Sequence, residues 1–181
     1  MSTTRDVSTG TFVHVFVVGF DPGLTRCGYA VLELGGRGGK EICRALGTIR
    51  TDLDEDTPGR LAALQHECAA LLDEWTPCAA AVERIFFKAN ARTAMSVAQA
   101  SGVVLAELGR RGIPVSMYTP SEVKSAVAGD GAALKGDIRR MVRALLRLTH
   151  EIVSPDAADA AAVALCHVAK SSFRDRAGVA P

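Results

Sequence analysis

A chain of 181 residues with a formal net charge of +1 has room for one complete core, but not for two ordinary domains with a linker. With 48% hydrophobic and 23% charged residues it has the balance of a folded globular protein, which sets aside disordered and low-complexity scaffolds. The near-zero charge neither announces nor forbids nucleic acid, because an acidic pocket beside a basic rim sums to the same total.

Residues 1–10 are polar and aperiodic and read as a flexible extension, ahead of one domain over 11–173 and a flexible tail over 174–181. Residues 12–20 form a continuous Val- and Phe-rich run, the pattern of a strand buried on both faces, and Asp21-Pro22-Gly23 ends it as a turn. Apolar segments at 28–34 and 42–49, separated by a Gly-rich turn at 35–39, supply two more strands of an antiparallel meander. The period then becomes helical. Pro58 suits a first helical position, and Leu61, Leu64, Cys68, Leu71, Leu72 and Trp75 recur every three or four residues. A short apolar strand at 79–85 carries Glu83, and a helix over 91–111 ends at Gly112 and Pro114. A last strand is expected at 115–118, and beyond it the chain reads as helical: a short helix after Pro120, a glycine-rich loop near Gly129 and Gly131, a helix over 134–148 and a final one from Pro155.

Strands four and five are each reached through a helix, so right-handed crossovers lay them parallel to strand one. The result is an α/β fold of RNase H-like order, a five-stranded mixed sheet flanked by helices on both faces. Cys27, Cys43, Cys68, Cys78 and Cys166 show no CxxC spacing and read as reduced, mostly packed thiols. No apolar run approaches a bilayer's thickness and no signal-peptide core is evident, so a cytoplasmic location is expected.

The chemistry concentrates in four acids. Asp21 and Glu83 end neighbouring strands, and Asp156 and Asp159 are three apart in the first turn of the last helix. Each has a structural explanation: Asp in Asp-Pro-Gly forms turns, and Asp in a first helical turn caps the helix or meets its dipole. Glu83 is harder to explain so, because a carboxylate inside an apolar strand carries a desolvation cost that calls for a partner. Four converging carboxylates repel one another unless hard cations occupy the pocket, and Mg²⁺ or Mn²⁺ is the natural occupant. Lys135, Arg139, Arg143 and Arg147 form a basic row on the helix over 134–148, opposite Leu134, Ile138, Met141, Leu145 and Leu148. The row is either a phosphate-holding face or an ordinary solvated one.

Three segments are recognisable. Val18-Gly19-Phe20-Asp21-Pro22-Gly23 through Gly28-Tyr29-Ala30, Glu83-Arg84-Ile85-Phe86-Phe87-Lys88-Ala89-Asn90 followed by Gln99-Ala100, and Pro155-Asp156-Ala157-Ala158-Asp159-Ala160 resemble the RuvC family of bacterial Holliday junction resolvases. The resemblance runs from about Phe16 to about His167, with the motifs in the family's order; some members carry histidine where this chain has Asp156. It implies a crossover junction endodeoxyribonuclease acting in DNA recombination and repair, with Asp21, Glu83, Asp156 and Asp159 as catalytic metal ligands. Two Mg²⁺ ions per site, replaceable by Mn²⁺, would drive paired hydrolysis to 5′-phosphate and 3′-hydroxyl products. It further implies that Lys124 and Lys135 act near the scissile phosphate and that Phe86, beside Phe87 and Lys88, stacks on an unpaired base at the junction centre, although two Phe could equally complete the core. Lys88, beside the two Phe, and Arg139 and Arg143 of the basic row complete the expected DNA-facing residues. Ala94, Ala98, Ser101 and Gly102 would lie at the contact of a homodimer, and the RuvA and RuvB branch-migration proteins would be partners. His167, almost on the helical face of Asp156, is either near the pocket's edge or simply packed. The competing readings are an ATP-binding protein of the actin and sugar-kinase superfamily, with Asp21-Pro22-Gly23-Leu24-Thr25 as a phosphate loop, and a non-catalytic junction-binding relative.

Overall fold

The computed structural model describes residues 14–35, 40–84 and 91–171. The two terminal extensions expected from sequence, and most of the turn at 35–39, lie outside these residues. Five strands, β1 (Phe16–Asp21), β2 (Arg26–Glu33), β3 (Ile42–Arg50), β4 (Ala79–Glu83) and β5 (Val115–Tyr118), form one sheet in the order β3-β2-β1-β4-β5. The β1–β2 and β2–β3 pairs are antiparallel, and β4 and β5 run parallel to β1. This is the mixed sheet expected from the element order.

Alternation along β1 assigns the two faces. Val18 and Phe20 pack with Leu64, Cys68 and Leu72 of α1 (Thr57–Trp75) and with Ala100, Val104 and Leu108 of α2 (Ala91–Arg110). On the other face Ala30, Leu32 and Ala81 meet α5 (Pro155–Lys170), which is covered in turn by α3 (Pro120–Ala128) and α4 (Lys135–Leu145). Being sandwiched on both sides explains why β1 is apolar throughout rather than alternating.

The helix α5 lies on the sheet because small residues let it. Six of its eleven buried residues are alanines, and two glycines of the sheet remove the remaining obstruction. A Cβ on Gly19 would come within 2.3 Å of the Ala160 carbonyl oxygen, and one on Gly28 within 2.0 Å of that of Asp156. At its start, Ser154 caps the helix by accepting from the Ala157 N–H and also hydrogen-bonds Thr48 of β3 at 2.6 Å.

Several boundaries differ from the sequence expectation. The strand β4 stops at Glu83, and β1 begins at Phe16. Helix α4 is three turns, not four: Leu134 is its extended N-cap, and Arg147 turns to φ 50°. With Leu134 off the helical cylinder, the buried row is Ile138 and Val142, continued by Leu146, while Leu134, Met141 and Leu145 are exposed. The expected apolar face is thus rotated. An i, i+4 ridge against α5 replaces the wider seven-residue stripe.

Candidate active site

The parallel register pairs Phe20 with Val82, so the next residues, Asp21 and Glu83, emerge side by side at one end of the sheet. Asp21 is pushed up from its ordinary 3.8 to about 9, first by burial, then by the charge and hydrogen bond of Glu83, then by the charges of Asp159 and Asp156. Burial also raises Glu83, while its hydrogen bond with Asp21 and the charge of Lys135 work the other way. The two carboxyl groups share a hydrogen bond that favours the proton on Asp21 and the charge on Glu83.

The first turn of α5 brings the other two acids. Asp159 joins Asp21 and Glu83 in lining a cleft walled by Pro120, Val123, Lys124 and Lys135, and the Lys135 ammonium donates to its Oδ2 at 3.0 Å. The same contact raises the Lys135 pKa. Asp156 is turned from the cleft lining toward the start of β2, where Arg26 Nε lies 3.1 Å from its Oδ2. Among the described residues no three His, Cys, Asp or Glu side chains stand ready to cage an ion. Lys135 and Arg26 each pair with one of the four acids. The donor set itself is purely carboxylate oxygen, the chemistry of hard divalent cations. Asp21, which keeps its proton against so many neighbouring charges, is the group with most to gain from one.

The remaining expected residues separate. Lys124 lines the cleft with Lys135, and Arg139 is exposed one turn beyond. Arg143 is engaged at the helix end, its Nε 3.4 Å from the Leu148 carbonyl and its Nη1 3.7 Å from Glu151; Arg147, past the helix terminus, does not extend the row. Phe86, Phe87 and Lys88 lie outside the described residues. His167 is buried away from the cleft lining, its Nδ1 2.9 Å from the Tyr118 hydroxyl, and burial lowers its pKa. Of the small residues on α2, Ser101 is buried and Ala94 and Ala98 are half-buried, whereas Gly102 is exposed. Sequence reasoning did not single out Arg26, Gly28 or Ser154. A glycine in a strand interior is a signal of close backbone approach, and it could have marked Gly28.

A family described as crossover junction endodeoxyribonuclease RuvC matches residues 17–167. The crossover junction endodeoxyribonuclease RuvC of Salinispora arenicola is 48% identical over 164 residues, 91% of this chain and 93% of the relative. That of Thermobifida fusca is 44% identical over 88% and 87%. Among solved structures, Thermus thermophilus RuvC in complex with a Holliday junction substrate is similar, with a TM-score of 0.80, 34% identity and coverage of 92% of this chain and 98% of that one. A yeast mitochondrial Holliday junction resolvase, 17% identical with a TM-score of 0.61, shares the fold. The chain belongs to the RuvC family of crossover junction endodeoxyribonucleases.

Proposed function

We propose that this chain resolves four-way DNA junctions by metal-dependent hydrolysis of phosphodiesters, with Asp21, Glu83, Asp159 and Asp156 as the acidic set. The observation that carries the reading is Asp21, pushed up to about 9 first by burial and then by three neighbouring carboxylates, in a cleft that two lysines line. Such a site is built to receive positive charge and a phosphate together. The junction complex of the Thermus relative supports the substrate class.

A pair of Mg²⁺ ions, or Mn²⁺ in their place, would supply a water of lowered pKa and charge stabilisation for the leaving 3′ oxygen. Asp21, on the central strand, would serve both ions, with Glu83 completing one set of ligands and Asp159, assisted by Asp156, the other. Lys135 and Lys124 then face the incoming phosphate. Their charges attract the backbone without reading sequence, and Lys135, once released from Asp159, can donate to a phosphate oxygen.

Paired cuts on a two-fold symmetric substrate call for an isologous homodimer. The exposed face of α2, with Met95, Gln99 and Gly102, is the proposed contact. RuvA and RuvB are the proposed branch-migration partners. Incubating the chain with synthetic four-way and linear duplexes, with and without Mg²⁺, tests the reading. Junction-selective cuts leaving 5′-phosphates are expected only with metal, and none from Asp21→Asn. Cleavage that persists in chelator, or in Asp21→Asn at saturating metal, refutes it.

A further inference from the structure

The end of the sheet beyond Asp156 holds a second concentration of positive charge that the acidic site does not use. Arg26 opens β2 and Arg50 closes β3, and the antiparallel register sets them directly opposite each other. Opposed residues of an antiparallel pair project to the same face, and like charges in that relation are destabilising. Two neighbours identify the face. Thr48, two residues before Arg50, hydrogen-bonds Ser154 at the start of α5, and Gly28, two after Arg26, abuts the Asp156 carbonyl. Both arginines therefore stand beside the first turn of α5, where two of the four acids lie.

Their surroundings are rigid, while the Arg50 charge is free among the described residues. Arg60 of α1 donates to Thr25 Oγ1 at 2.8 Å and to Thr51 Oγ1 at 3.0 Å, and Thr51 donates to the Leu24 carbonyl at 2.5 Å. The residues adjoining both arginines are thus tied together. Among the described residues Arg26 makes one ion pair, with Asp156, and its side chain is 54% exposed. Arg50 is exposed and has no ion pair or side-chain hydrogen bond among the described residues. A like-charged pair held in register at an active-site rim, half of it unpartnered, is suited to an anion that accepts from both guanidinium groups. The cleft's own cations, Lys124 and Lys135, come from α3 and α4, so the acids lie between two basic flanks.

Given a junction-cutting enzyme, we propose that Arg26 and Arg50 form a second phosphate site that grips the DNA backbone on the far side of the scissile phosphate from Lys124 and Lys135. The ligand is a phosphodiester of the same strand or of the adjoining arm, bound through its charge and without base readout. Arg50 is the cleaner probe, since it touches none of the acids.

The test is binding of a fluorescent four-way junction by the full-length chain in chelator, between about 50 and 200 mM salt, where each phosphate contact contributes about 0.9 to the slope of log K against log salt. Arg50→Gln should flatten the slope by about 0.9 and Arg26→Gln/Arg50→Gln by about twice that. Arg50→Lys should keep it, as should Arg140→Gln, which removes an arginine on the outer side of α4. Arg50→Gln should also melt no lower than the parent, because it relieves a repulsion. An unchanged slope in the double variant overturns the proposal, as does equal flattening by Arg140→Gln. If the parent chain neither binds nor cuts junctions, the functional reading itself fails, a result separable from a parent that does both while its arginine variants bind alike.

Discussion

Replacing Asp21 by Asn should stabilise the metal-free protein while abolishing its chemistry, and the size of the gain follows from the site's electrostatics. Asp21 has an ordinary pKa of 3.8 in the open chain and about 9 in the fold. Below pH 4 both states are protonated and the residue costs nothing. As pH rises the unfolded chain ionises first, so folding must take up a proton, and stability declines until the folded group also ionises near pH 9. At neutrality about three pH units have accrued at about 1.4 kcal/mol each, a cost on the order of 4 kcal/mol. Asn has the carboxyl's shape without the titration, so it should recover most of this at pH 7 and little at pH 4. Urea unfolding in chelator, repeated across that range, measures the difference. Added Mg²⁺ should close the gap by stabilising the parent and not the variant. Parallel pH profiles for the two proteins, or an equal response to metal, would refute the account of Asp21 as a frustrated ligand.

Other expectations concern how the site is held. Gly28→Ala should cost at least 1–3 kcal/mol by overpacking, since its Cβ would meet the Asp156 carbonyl oxygen at 2.0 Å; a melting temperature within a degree of the parent would contradict this. Ser154→Ala should lose about 1 kcal/mol of capping, and should lower cleavage even at temperatures where the variant is fully folded, because the acids of α5 lose their anchor to Thr48. Gly102→Leu, whose added Cβ meets nothing within 4 Å among the described residues, should shift sedimentation from dimer to monomer without lowering the melting temperature of the monomer. Burial lowers the His167 pKa, so the stability this residue confers is present above its ordinary value and lost as pH falls below it; His167→Gln should flatten the acid limb of a pH–stability profile.

Much of this was legible in the sequence because it was encoded locally. The unbroken apolar run of β1 announced a strand covered on both faces, and the two crossover helices dictated parallel β4 and β5. Glu83 was conspicuous as a charge in an otherwise apolar strand. What could not be read depended on three-dimensional proximity. That Lys135 holds Asp159, and that Arg26 holds Asp156 from a position 130 residues earlier in the chain, follows from how α4 and β2 approach α5. The apolar face of α4 was misjudged because periodicity does not reveal that Leu134 caps the helix instead of belonging to it. The small residues of α2 permit close approach but do not say to what: Ser101 is buried within the protein, while Gly102 is exposed.

The contact of Gly28 with Asp156 has a bearing on how such an enzyme can drift over evolutionary time. Most helices rest on their sheets through side chains, so each exchange of Val for Ile or Leu shifts the helix slightly and moves whatever it carries. At the start of α5 main chain meets main chain, with no Cβ between Gly28 and the Asp156 carbonyl. That one contact offers no side-chain volume for substitution to change, unlike the Ala30, Leu32 and Ala81 contacts farther along. The helix that carries Asp156 and Asp159 is thereby gauged at its start by backbone, so substitutions in the rest of the core act on the acids' spacing less directly.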